Sequence, residues 1–226
     1  MWISNIEAFS QKCQAFAVDN INDPGRSIFH QELSKPEDFI TWLDELFNAL
    51  DLGRDINLVG LAYGSWLAHL YALHFPQRVS KIVLLAHPAI VSMNLEFILR
   101  FLLSIISPRV FQNFVYWLFQ DTLDEDPQSK SLVEGIYHQM RLAGKCFKPK
   151  KIVNPTKIKD HQLTDLLTPA LFLFGENEKT FSPQKAIQRL RTPAPQVMVE
   201  LIPRAGHDLS FAQSDMVNQK ILQFFE

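Results

Sequence analysis

Cysteine is scarce: Cys13 and Cys146 are the two in 226 residues. They form no C-x-x-C pair and no metal-ligand spacing, which argues against a disulfide framework and fits two reduced thiols in a cytoplasmic protein. Long apolar runs are missing too. The greasiest stretch, Leu95 to Ile106, is interrupted by Glu96 and Arg100 and is too short to span a bilayer. It predicts a helix packed on protein, with contact to a lipid-like ligand or membrane surface as the lesser alternative. Met1 to Glu7 lack the basic start and apolar core of a secretion signal. Excess charge of one sign is absent: the formal net charge is −2, which argues against nucleic acid as a partner. The one basic cluster, Lys148, Lys150 and Lys151, reads as a solvated loop. No internal repeat, Gly-rich phosphate cradle or dinucleotide fingerprint occurs, so no cofactor is implied. The seven histidines are scattered, and His69 and His74 are not spaced for one helical face, so no metal site is expected. His138 and His161 read as surface groups, whereas His87, beside Pro88, follows a strand and lies near the expected site.

What is present is apolar material for a sizeable core, 47% of the chain. Ala15-Phe16-Ala17-Val18 reads as a buried strand, followed by the turn-rich Asn22 to Ser27. Between Pro36 and Leu52 the apolar residues Phe39, Ile40, Leu43, Leu46, Phe47 and Leu50 recur at helical spacing, and Gly53 follows as a stop. Ile56 to Gly60 is a strand, Gly64 to Phe75 a helix ended by Pro76, and Lys81 to Ala86 a strand. Such alternation predicts a parallel sheet covered by helices. From about 90 to 165 the strands cease and helical patterns take over, around 93–106, 108–120 and 128–142. The strand pattern then resumes at Ala170–Gly175 and Val197–Ile202. A helix opens at Ser182-Pro183, and another runs from Ser214, a candidate cap, to Phe225. The expected organisation is therefore a core in two parts, 1–89 and 166–226, around a helical insertion at 90–165.

The informative segment is Gly60-Leu61-Ala62-Tyr63-Gly64, which joins a buried strand to a helix. Gly-x-Ser-x-Gly in that context is a nucleophile elbow: its middle residue sits on a strained turn, and small residues on either side let the strand and helix backbones approach. With Asp23 to Ser27, Leu171 to Glu178 and Pro203 to His207, the chain resembles bacterial esterases of the α/β-hydrolase fold over nearly its whole length. The resemblance implies a mostly parallel sheet flanked by helices, lacking the family's first three strands, with residues 90–165 as its cap. It implies His207 as catalytic base, Glu178 as the acid that orients it (Glu176 competes), Ala62 at the position of the nucleophile, and the Tyr63 N–H as one oxyanion-hole donor. The order elbow, acid, histidine agrees with this fold.

Alanine has no lone pair to attack a carbonyl, so no acyl-enzyme can form. Ser65 lies inside the helix and is not an obvious substitute. The resemblance also implies that the His-Gly loop carrying the second oxyanion donor is absent, either because the chain starts at an internal methionine or because the strand at Ala15 pairs directly with that at Asn57. Three readings follow. One is a carboxylic-ester hydrolase relative silenced at position 62, whether by nature or by design, whose ligand would be a small apolar ester suggested by Phe97, Phe101, Phe114, Tyr116 and Trp117. A second is a non-catalytic small-molecule-binding or interaction protein. The third is nucleophile-free general-base chemistry by His207. No oligomeric state is selected.

Overall fold

The computed structural model describes residues 2–28, 33–124, 127–148 and 153–226. Lys150 and Lys151 of the basic cluster lie outside these residues, as do Met1 and the pair Glu125 and Asp126.

In chain order the elements are α1 (Ile6–Ser10), α2 (Pro36–Ala49), β1 (Ile56–Leu61), α3 (Tyr63–His74), β2 (Val79–Leu85), α4 (Leu95–Ser104) and α5 (Pro108–Leu118). There follow α6 (Gln120–Leu123), α7 (Pro127–Cys146), α8 (Asp160–Thr164), β3 (Ala170–Gly175), α9 (Pro183–Arg191), β4 (Met198–Ile202), α10 (Leu209–Ala212) and α11 (Ser214–Phe225). The four strands form one parallel sheet in the order β1-β2-β3-β4. Side chains alternate across it. Ile82, Leu84, Phe172 and Phe174 join the core under α2, α3 and α9, whereas Val83, Leu85, Leu171 and Leu173 face α10 and α11.

Local chemistry accounts for several helix starts. Proline stands at the first turn of α2, α5 and α9, where its missing N–H is not needed. The hydroxyls of Ser107 and Ser182 accept from the third residue of α5 and of α9, Val110 N–H and Lys185 N–H. At α2 the Asp38 carboxylate accepts from the N–H groups of Ser34 and Lys35. At α11 the expectation fails: Ser214 is the first helical residue, and Gln213 precedes it.

A larger difference concerns Ala15 to Val18. No strand forms there and the segment does not pair with Asn57, whose ladder partner is Lys81 of β2; Phe16 and Val18 are exposed. A strand is held by a neighbour's ladder, and among the described residues none runs beside this segment. The stretch from Leu95 also departs from expectation. It is helical, but α4 buries little besides Ser104, and most of its large apolar side chains face out. No helix among the described residues is long and apolar enough to cross a membrane.

Because all strands run the same way, the segments after β1, β2, β3 and β4 leave from one edge of the sheet. That edge is where parallel α/β sheets place their sites. Ala62, His87, Glu178 and His207 all belong to these four segments.

Candidate active site

The chain leaves β1 and enters α3 through a single residue, Ala62, at φ 49° and ψ −115°. A positive φ costs a residue with a Cβ on the order of 1–3 kcal/mol, and such strain concentrates at functional turns. Gly60 makes the turn feasible. A Cβ there would lie 2.4 Å from the Gly64 carbonyl oxygen and 2.5 Å from Ser65 Cα. The Ala62 N–H bonds the Leu85 carbonyl at 2.9 Å, tying the turn to the end of β2. The buried Ser65 side chain donates its hydroxyl to the Ala62 carbonyl at 2.6 Å in the first turn of α3, so it is held against the backbone. Tyr63 is the first residue of α3. Its N–H is one of the four that open a helix without an intrahelical partner, at the positive end of the helix dipole. The Tyr63 phenol donates to the Val153 carbonyl at 3.0 Å, anchoring the elbow to the chain before α8. Burial, aided by the negative charge of Asp23, pushes its pKa up to about 12.

At the other end of the site, β3 and the loop after β4 touch. A Cβ on Gly175 would lie 2.2 Å from the Gly206 carbonyl oxygen and 2.3 Å from that of Ala205. This approach carries Glu178 to His207: Oε2 is 3.0 Å from Nδ1. Glu178 Oε1 accepts from the Thr180 N–H at 2.8 Å and from the Thr180 hydroxyl at 2.7 Å. The carboxylate is thus fully engaged although buried. Burial alone would raise its pKa, but the charge and hydrogen bond of His207 and the two bonds from Thr180 outweigh it, and the net shift is downward. For His207, burial disfavours the imidazolium, while the charge and bond of Glu178 and the charge of Asp208 favour it; the net shift is upward. With Nδ1 committed to Glu178, Nε2 is the nitrogen left for a proton transfer. Glu176, the competing acid, is exposed and accepts at 3.4 Å from the Arg204 N–H instead.

Two buried groups extend this region beyond what the sequence indicated. Asp208 accepts from the Thr122 N–H at 2.9 Å, the Thr122 hydroxyl at 2.6 Å and the Gly206 N–H at 3.2 Å, joining α6 to the loop that carries His207. His87 and His69 form a second pair, fully buried, with Nε2 and Nδ1 3.2 Å apart. Nothing in their spacing announces it, because α3 and the end of β2 meet only in the folded sheet. The Ala89 N–H donates to His87 Nδ1 at 3.2 Å. Neutral His87 therefore carries its proton on Nε2 and donates to His69 Nδ1. His69 is then protonated on Nε2, which faces the Gln162 backbone without reaching hydrogen-bond geometry. Burial lowers the pKa of His69 to about 4 and drives that of His87 well below its usual value, with His69 adding to the effect. His74, His138 and His161 are exposed. Among the described residues no group of three or more His, Cys, Asp or Glu is arranged to hold a metal ion. The aromatic residues of the helical segment pack on one another, with Phe97, Phe101 and Phe114 ring centres 5.9 to 6.2 Å apart and Trp117 6.2 Å from Phe114.

No protein-family model matches the chain. Over 226 residues it is 29% identical to carboxylesterase YbfK of Bacillus subtilis, covering 99% of this chain and 75% of that protein. The crystal structure of carboxylesterase CesB (YbfK) aligns with a TM-score of 0.83 at 27% identity, over 99% of this chain and 78% of the other. The naproxen esterase of Bacillus subtilis aligns at 0.85 and 25% identity, over 100% and 78%. A meta-cleavage product hydrolase from Pseudomonas fluorescens aligns at 0.80 over 99% and 84%; at 18% identity this likeness speaks for the fold alone. With its parallel sheet, its sharp turn at Ala62 and these likenesses, the chain has the α/β-hydrolase fold and is esterase-like, similar over nearly its whole length to bacterial carboxylesterases.

Proposed function

We propose that this chain is a carboxylesterase-like protein whose proton-transfer pair is in place and whose nucleophile is absent. It would hold a small, largely apolar ester and fail to turn it over. The observation that carries this reading is the Glu178–His207 pair at 3.0 Å, on the same edge of the sheet as the strained turn at Ala62. An imidazole oriented through Nδ1 by a buried carboxylate serves a hydroxyl nucleophile, and a positive φ at the elbow is the geometry that presents one. Ala62 offers a methyl group where the hydroxyl would stand.

In this reading a serine at position 62 would attack the ester carbonyl. His207 Nε2 would take the serine proton and return it to the leaving alcohol. Glu178 would hold the ring and stabilise the imidazolium, and the Tyr63 N–H would donate to the developing oxyanion. Residues 90–165 would cover the site as a cap. The unpaired thiols Cys13 and Cys146 suit a reducing, cytoplasmic compartment.

The test compares this chain with its Ala62→Ser variant on short-chain nitrophenyl esters. The expected result is no turnover by the parent and a gain in kcat/KM of at least about a thousandfold in the variant. A variant that stays folded and inactive, while the parent binds no ester analogue, would refute the reading.

A further inference from the structure

The outward face of α4 is apolar without interruption. Leu95, Leu99, Leu102 and Leu103, with Ile105 and Ile106 just beyond the helix, are between 51% and 81% exposed. At 100° per residue these positions, with Ile98, fall within one side of the helix and its continuation. Glu96 and Arg100 sit together on a flank, paired with each other at 2.8 Å. Phe97 and Phe101 turn toward Phe114, and the Arg100 guanidinium lies 4.7 Å from the centre of the Trp117 ring.

The helix is also fixed at its start. The Asn94 N–H donates to the Thr180 carbonyl at 2.8 Å, its side chain donates to the Lys179 carbonyl at 3.1 Å, and Met93 bridges to Phe181. Anchored on the inside and at one end, α4 has no way to roll its outer leucines into its own core.

We infer that this face is the contact between two copies of the chain, packed α4 against α4 about a two-fold axis. The outer side chains together expose on the order of 700 Å² of apolar surface, close to the ~800 Å² that each partner buries in an interface of standard size. A two-fold contact brings a patch against itself, so it suits a surface with no net charge to repel its copy. The Glu96–Arg100 pair leaves this face neutral. A lipid surface fits less well. Helices that lie on membranes carry lysine and arginine along their polar side, and the single arginine of α4 is already paired with Glu96. Because Asn94, the residue just before α4, is bonded to the two residues after Glu178, the contact would adjoin the candidate site.

Sedimentation of the whole chain across low- to high-micromolar concentration tests the inference and does not depend on turnover. The expected result is a species of twice the 26.0 kDa chain mass. Leu99→Glu/Leu102→Glu should weaken association at least about tenfold. As a second arm, Leu102→Cys in a Cys13→Ser/Cys146→Ser background should form a disulfide-linked dimer on oxidation, and the background alone should not. A chain that stays monomeric throughout overturns the inference, as does a dimer that neither forms the cross-link nor responds to the two glutamates. Flotation of a monomeric chain with phosphatidylcholine–phosphatidylglycerol vesicles would overturn it in favour of lipid.

Discussion

His207 and Glu178 each hold the other's charge. The folded imidazole keeps its proton to higher pH than a free one, so its contribution to stability is complete below about pH 6.5 and is lost as pH rises through the folded value. Replacing Glu178 by Gln removes the charge that holds the proton, and the pKa of His207 should fall. An NMR titration of the ring in the parent chain reads this directly, without any activity, and an unchanged midpoint would contradict the proposed pairing. The buried histidines act in the opposite sense. His69 and His87 stay neutral when folded, whereas an unfolded imidazole takes up a proton below about pH 6.5. The protein should therefore lose stability as pH falls from 6.5 toward about 4. Urea unfolding at neutral and mildly acid pH should show the loss, and His69→Gln should reduce it; a pH-independent midpoint in the parent would exclude the effect.

Among the elements, two close backbone contacts set the geometry of the candidate site. β1 meets α3 at Gly60, and β3 meets the loop after β4 at Gly175. The second contact governs how Glu178 and His207 meet. In Gly175→Ala the new methyl would press on the carbonyls of Gly206 and Ala205, which are backbone and cannot swing aside. We expect a loss of about 1–3 kcal/mol, as for an overpacked core, together with a perturbed His207 titration. Denaturant unfolding and the same NMR experiment check both halves, and a variant of parental stability would mean that the loop gives way freely. Asp208 joins the elements in another direction. Its two hydrogen bonds from Thr122 hold α6 to the histidine loop, so a movement of the helical segment would be felt at His207.

At the scale of the whole molecule, the parallel sheet brings together residues far apart in the chain, while α4 leaves an apolar surface outside it. If two copies cover that surface, folding and association are linked by mass action. The melting temperature of the parent should then rise with protein concentration, and that of Leu99→Glu/Leu102→Glu should not. Equal behaviour of the two would separate the exposed leucines from any association.

The sequence alone determined the alternation of strands and helices from Pro36 onward, since periodicity is local and proline, serine and glycine mark the ends. It determined as well that position 62 lacks a hydroxyl, which no packing can supply. Tertiary structure decided the rest. Ala15 to Val18 has the composition of a strand, yet a strand exists only through a neighbour's ladder. Leu95 to Ile106 has the periodicity of a packed helix, but a pattern of apolar residues does not say which side finds a partner. Glu176 and Glu178 are two residues apart with the same chemistry; the path of the chain after Gly175 sends Glu178 to His207 and Glu176 to Arg204. The His69–His87 pair was out of reach for the same reason. Hydrogen bonds between distant residues depend on how elements dock, and docking is a property of the whole fold.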